Sequence, residues 1–315
     1  MINTKKEHTL LVEKYRSKTL EEYVGNEQIK QTIQQYLDQN DIQNFIFFGP
    51  AGTGKTTLAK IIVNNLNCDH LYINASDENG IDTIRNKVQQ FASSASFKPL
   101  KVVILDEADF LTIQAQASLR NIIETFSRVT RFILTCNFVE RIIDPLQSRC
   151  QVLKIVPPSK KEVASHVSNI LDQEQITYEL QDLASVVNQF YPDVRKILNT
   201  CQVSTIEGVI KLDKSTLVNS KFLDKIVEEL KKPSYLSFNL IRQLIANSGI
   251  NEFEGVYKHL YDCIDDYGSG NEGLIIITIE EYLFHKNFRI DQEINICACI
   301  AKILEILINK KPIKG

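Results

Sequence analysis

The chain has 315 residues, 43% apolar and 24% charged, with 36 basic against 39 acidic side chains and a net charge of −3. At about 100–200 residues per domain, this length predicts two or three domains with sizeable cores. The composition excludes a disordered tail, a fibrous repeat and a polycation that coats nucleic acid, so any DNA contact must be local. The longest apolar runs, at 45–48, 102–105 and 274–279, fall far short of the roughly 18 residues that cross a bilayer, and no membrane partner is expected. The opening MINTKKEHTLLVEKYRSK is polar where a secretory signal carries an apolar centre. Seven cysteines without a CxxC pair fit reduced thiols in a cytoplasm better than a disulfide frame or a zinc site.

In chain order, short apolar runs alternate with longer helical windows. NFIFF (44–48), HLYIN (70–74), KVVILD (101–106), RFILTC (131–136) and QVLKIV (151–156) read as strands buried on both faces. Helical windows lie between them at about 55–66, 82–95, 112–126 and 139–147. That alternation predicts a parallel sheet wrapped by helices over residues 1–157. Pro157-Pro158 closes the pattern, and Ser159 with Glu162 has the spacing of a capping box that starts a helical domain. Its helices are expected near 160–173, 179–190 and 192–203. A second boundary near Lys231-Lys232-Pro233 gives domains over 158–230 and 231–315, both helical. In the last helix Ile294, Cys297, Ala301, Leu304 and Ile308 recur at 3-4-3-4 spacing, with Ile300, Ile303 and Leu307 widening the face.

Three strand ends carry chemistry. Gly49-Pro50-Ala51-Gly52-Thr53-Gly54-Lys55-Thr56 matches GxxxxGK[ST] directly after a strand and opens a helix, the context of a phosphate cradle. Backbone amides around Gly49, Gly52, Thr53 and Gly54, with Thr57 beyond, would hold ATP, Lys55 would reach the β- and γ-phosphates, and Thr56 would offer its hydroxyl to Mg²⁺. In KVVILDEAD, Asp106 would hold Mg²⁺ through water and Glu107 would orient an attacking water. Asp106-Glu107-Ala108-Asp109 also spells the helicase box, but a helicase needs a second strand-rich domain, and beyond 157 only helices are expected. Asn137 ends RFILTCN at the same sheet edge, where it would sense the γ-phosphate or the attacking water.

Asp144-Pro145-Leu146-Gln147-Ser148-Arg149-Cys150, just before the last strand, resembles the arginine-finger motif of sliding-clamp loader ATPases, a branch of the AAA+ superfamily. Glu13-Lys14-Tyr15-Arg16 with Tyr23-Val24-Gly25-Asn26-Glu27 is similar to that family's adenine pocket. Asn74-Ala75-Ser76-Asp77, Gln116-Ala117-Ser118-Leu119-Arg120 and Phe190-Tyr191-Pro192-Asp193-Val194-Arg195-Lys196 extend the resemblance to about residue 200. The family is that of replication factor C small subunits, and the run 91–97 with the chain length looks most like the large ATPase subunit of T-even-type phage clamp loaders. The resemblance implies an AAA+ domain, a small helical lid and an all-α oligomerising collar.

Carried over residue by residue, Val12, Glu13, Lys14, Tyr15, Arg16 and Val24 would surround adenine, and Arg195 on the lid would reach the phosphates of its own chain. Arg149, and Arg120 beside it, would act in trans on a neighbour's ATP. Ser17 replaces the usual proline, and Asn79 stands where relatives carry a basic residue toward template phosphate; Arg85 and Lys87 remain for that contact. Phe91 and Phe97 would anchor the clamp. The implied function is an ATPase that opens a clamp and places it on primer-template DNA, working with a second subunit type in the cytoplasm, a host's if the gene is a phage's. The rivals are another AAA+ remodeller, such as a helicase loader or branch-migration motor, and a scaffold that binds ATP without turnover. Glu107 and Arg149 both argue against the scaffold.

Overall fold

A computed structural model describes residues 10–211, 220–234, 236–248, 253–285 and 291–309. β1 (Phe45–Phe48), β2 (Cys68–Asn74), β3 (Leu100–Asp106), β4 (Thr130–Cys136) and β5 (Gln151–Lys154) form one all-parallel sheet in the order β2-β3-β4-β1-β5. The three middle strands are apolar on both faces because helices cover both. Phe45, Phe47, Val102, Ile104 and Ile133 join one core with Ile33 of α2 (Glu27–Asp38), which follows the short α1 (Leu11–Lys14), and with Leu58, Ile61 and Ile62 of α3 (Lys55–Asn65). Ile46, Val103, Leu105, Phe132 and Leu134 face the other core with Leu119 and Ile122 of α6 (Ile113–Thr125).

This strand order decides where chemistry can sit. With β4 between β1 and β3, the loop after β1, the acidic pair ending β3 and Asn137 after β4 lie side by side at the carboxyl edge of the sheet, where ligands of open α/β sheets bind.

Two windows expected as single helices are interrupted. The segment after β2 runs as α4 (Ile81–Thr83), a π-helical turn (Ile84–Val88) and α5 (Gln89–Ser93). The window 139–147 divides into a 3₁₀ turn (Val139–Arg141) and α7 (Asp144–Gln147), which restarts at Pro145, a residue suited to the first turn of a helix. Helix α2 is absent from the sequence expectation because its EQIKQTIQQYLD fully buries only Ile33.

After β5 come α8 (Lys160–Gln173), α9 (Leu180–Phe190) and α10 (Val194–Val203). The Ser159–Glu162 capping box forms in full, the Ser159 hydroxyl accepting from the Glu162 amide while the Glu162 carboxylate accepts from the Ser159 amide. The expectation of helices alone fails at β6 (Thr205–Ile206) and β7 (Val209–Ile210), a hairpin whose loop residues Glu207 and Gly208 both take positive φ, as a tight two-residue hairpin requires.

The first compact unit ends at Ile210, and the second spans Lys211–Gly315. The second holds α11 (Ser220–Lys231), α12 (Ser237–Ser248), α13 (Glu254–Asp262), α14 (Ile264–Tyr267), α15 (Glu272–His285) and α16 (Gln292–Ile308). The division therefore falls near 210 and not at Lys231-Lys232-Pro233: α11 buries Ile226, Val227 and Leu230 in one core with Ile241, Ile245 and Ile300. Those basic residues and the proline mark only the turn from α11 to α12. On α16 the buried face is Ile296, Cys299, Ile300, Ile303, Leu304 and Leu307, whereas Ile294 is 63% exposed and Ala301 faces solvent. Among the described residues no helix is long and apolar enough to cross a membrane, and all seven cysteines are free.

Candidate nucleotide site

The phosphate loop is shaped by close approaches that only glycine permits. Gly52 (φ +73) lies so near α10 that a Cβ there would stand 2.0 Å from Asp193 Oδ1 and 2.9 Å from Asp193 Cα; at Gly54 (φ +93) it would stand 2.9 Å from the Tyr23 ring. Asp193 also caps α10, accepting from the Lys196 amide at 3.1 Å. The loop thus packs against the helix end that carries Arg195.

Lys55 opens α3 and is nearly buried. Its ammonium donates to Gly49 O (2.8 Å), Pro50 O (2.7 Å) and Asn137 Oδ1 (2.8 Å), all neutral oxygens. Burial lowers its pKa below the ordinary lysine value, the Asp106 and Asp109 carboxylates oppose that fall, and Arg195 adds to it. A cation held among neutral acceptors and facing a second cation suits a polyanionic ligand.

Asp106, 8% exposed, is held by hydroxyls from three elements. Thr56 of α3 donates to Oδ1 at 2.7 Å, Thr135 of β4 donates to the same oxygen, and Tyr72 of β2 donates to Oδ2 at 2.7 Å. The paired Thr56 hydroxyl and Asp106 carboxylate are an all-oxygen donor set of the kind a hard divalent cation takes. Glu107 follows with φ 56, a left-handed conformation uncommon outside glycine, and its amide donates to Thr135 Oγ1 at 3.1 Å. Backbone strain of that kind clusters at functional sites. Asp109 ties the turn to the next strand, its Oδ2 accepting from the amides of Asn137 (3.2 Å) and Phe138 (3.3 Å).

Lys55, Thr56, Thr57, Asp106, Glu107, Asn137 and Arg195 line one polar cleft. Beside it is a more apolar cavity walled by Val12, Tyr15, Arg16, Val24, Pro158, Val163 and Leu198, with Gly52, Thr53, Gly54 and Arg195 at its edge. His166 also faces it, its pKa lowered by burial. Two residues expected around adenine point elsewhere. Glu13 bonds Arg16 at 2.5 Å, and Lys14 bridges Glu174 of the segment after α8 at 2.7 Å, where Tyr15 OH also donates to Glu174 Oε1. Those two contacts hold the Glu174 carboxyl below its usual pKa.

Arg149 is not in the cleft. Its backbone oxygen accepts from Asn44 Nδ2 at the start of β1, whereas Gly49 follows the end of that strand, about 16 Å away at ~3.3 Å per residue. Its guanidinium bonds Glu124 of α6, with Nε to Oε1 at 2.6 Å, and donates to Pro145 O at 2.8 Å. Arg120 lies one helical turn before Glu124 and bonds its neighbour Asn121, so both arginines occupy one face. Asn79 and Arg85 are exposed, the Asn79 carbonyl accepts from Thr112, and Lys87 pairs with Glu78 at 2.6 Å.

Phe91 and Phe97 separate. Phe91 packs on the domain core and receives the Lys101 ammonium 5.5 Å from its ring centre, while Phe97 is fully exposed. Phe91 follows Ile84 and Val88 along the inward face of the helical segment and is partly buried there.

Sequence reasoning passes over Tyr72, Thr135 and His166. Thr135 could have been found from parallel register, because Leu105 pairs with Leu134 and the next residues, Asp106 and Thr135, fall together at the strand ends.

Residues 45–158 match the family described as ATPase family associated with various cellular activities (AAA). The replication factor C small subunit of Sulfurisphaera tokodaii is 32% identical over 329 residues, covering 98% of each chain. That of Saccharolobus solfataricus is 33% identical over 318 residues, covering 96% of each. Among solved structures, Thermotoga maritima RuvB, a Holliday junction branch migration motor, matches with a TM-score of 0.53 at 16% identity over 81% of each chain. At that identity the likeness is one of fold alone.

Proposed function

Because the chain belongs to the replication factor C small-subunit family, the ATPase subunits of the clamp loader in DNA replication, we propose that its cleft binds ATP with Mg²⁺ and that a neighbouring subunit completes the turnover site. The observation that carries this reading is the convergence of Lys55, Thr56, Asp106, Glu107, Asn137 and Arg195 on one cleft, with both Arg149 and Arg120 outside it.

Val12, Tyr15, Val24 and Leu198 offer adenine an apolar slot. Lys55 would bind the phosphates, and Asn137, bonded to that ammonium, would sense them. Thr56 and Asp106 hold Mg²⁺, which neutralises phosphate charge when bound. Glu107 orients the attacking water. Asp109 fixes the Asn137 backbone, so the acidic turn and the neighbouring strand end respond together. Arg195 brings the lid helix onto the phosphates, and Arg149 with Arg120 reaches the nucleotide of the adjacent subunit.

ATP is useful here only if its two nucleotide states differ in affinity for partners. The partners are a second subunit type, a sliding clamp and primer-template DNA, in the cytoplasm. Residues 1–157 would serve as ATPase, the helices and hairpin from 158 to 210 as lid, and the unit from 211 to 315, whose core includes α11, as collar. Phe97, fully exposed, would lead the clamp contact with the partly buried Phe91 behind it, and Asn79, Arg85 and Lys87 would meet template phosphate. A T-even-type origin rests on the run 91–97 and chain length.

The test is ATPase rate with and without primer-template DNA and candidate clamp. Stimulation by both together beyond either alone is expected; stimulation by DNA alone, indifferent to every clamp, would favour another remodeller.

A further inference from the structure

Tyr72 sits on the edge strand β2 and is 42% exposed, so a need to bury the side chain does not explain where its hydroxyl goes. The hydroxyl donates to Asp106 Oδ2 at 2.7 Å. Register makes this possible. Tyr72 pairs with Ile104 and Asn74 with Asp106, so phenol and carboxylate are diagonal neighbours on the sheet face that α3 covers. Helix α3 then holds both. Thr56 bonds the carboxylate, and one turn later the Lys60 ammonium lies 5.1 Å above the Tyr72 ring centre.

The two carboxylate oxygens are served differently. Oδ1 accepts from Thr56 and Thr135, whereas Oδ2 accepts from Tyr72. When Thr56 turns its hydroxyl to a cation, Thr135 and Tyr72 remain to hold the group, and Tyr72 is the partner on the second oxygen. We propose that Tyr72 is a positioning residue for Asp106, fixing the carboxylate orientation in which Asp106 and Thr56 receive the divalent cation of the nucleotide. The proposal rests on the reading of Thr56 and Asp106 as the cation's holders.

Equilibrium binding of a fluorescent non-hydrolysable ATP analogue, in EDTA and then across a Mg²⁺ titration, tests it on the full chain. Tyr72→Phe keeps the ring and the Lys60 contact and removes one oxygen. Its EDTA affinity should equal wild type while its half-saturating Mg²⁺ rises about tenfold, the usual scale for losing a group that orients a metal ligand. ATPase rate at saturating Mg²⁺ should return toward wild type. Asp106→Asn, measured alongside, separates the two ideas. If Asp106→Asn shifts the Mg²⁺ dependence and Tyr72→Phe does not, the Tyr72 proposal falls and the site reading stands. If Asp106→Asn leaves it unchanged, both fall. Equal weakening of Tyr72→Phe in EDTA and in Mg²⁺ would mark a merely structural tyrosine and overturn the proposal.

Discussion

Two neighbouring features of the cleft divide its work between holding and turning over nucleotide. Lys55 is a nearly buried cation whose three hydrogen bonds go to neutral oxygens, so its charge is satisfied fully only by an anionic ligand. Glu107 shares the cleft as a carboxylate beside the cation site, placed to orient water and not to hold phosphate in the proposed reading. Lys55→Ala should therefore weaken ATP binding by about 2–5 kcal/mol, the cost of removing one partner from a buried charged contact. Glu107→Gln should bind ATP nearly as wild type does and lose roughly 10²–10⁴ in rate, the contribution of a positioned base. Titration calorimetry and single-turnover hydrolysis measure the two quantities separately. A Glu107→Gln subunit that turns over at the wild-type rate would remove Glu107 from the role of orienting water.

At the scale of elements, the cleft depends on contact between the phosphate loop and the start of α10. A methyl at Gly52 would meet Asp193 at both its carboxylate and its Cα, so the helix end bearing Arg195 has to retreat. Gly208 is the control: its φ of +78 is as unsuited to alanine, but a Cβ there meets nothing within 4 Å. Both Gly52→Ala and Gly208→Ala should lose about 1–3 kcal/mol from backbone strain. Only Gly52→Ala should also lose ATP affinity, and equal affinities in the two variants would mean that the contact does not position Arg195. The phosphate loop itself was legible because strand, glycines, lysine and helix follow one another without a break. The Gly52–Asp193 contact was not, because it joins residues 141 positions apart. Periodicity failed in a different way on α16, which is apolar around most of its circumference. Several stripes fit such a sequence, and the core selected the one through Ile296, Ile300 and Ile303 while leaving Ile294 in solvent. Tyr72 escaped notice because an aromatic residue in a strand already has a sufficient reason to be there.

For the whole molecule the decisive feature is that Arg149 and Arg120 both lie outside the cleft of their own chain. Arg149 stands at the start of β1 and the phosphate loop at its end, and the intervening strand is too long for an arginine side chain to cover. Glu124 holds the guanidinium, so the proposed trans role would exchange that carboxylate for a neighbour's phosphate. Arg149→Ala should leave ATP affinity close to wild type and lower turnover by roughly 10³–10⁵, the range that trans arginines contribute to phosphoryl transfer. Lys55→Ala should fail for the opposite reason, lacking nucleotide but keeping its finger. A mixture of the two inactive subunits then contains interfaces at which an intact Arg149 faces an intact Lys55, and activity should reappear in proportion to their number. Rate against mixing ratio, with mixed oligomers verified by mass, reads this directly: a maximum near equal proportions supports the trans finger, and a flat line at the level of the separate variants would return Arg149 to its ion pair with Glu124.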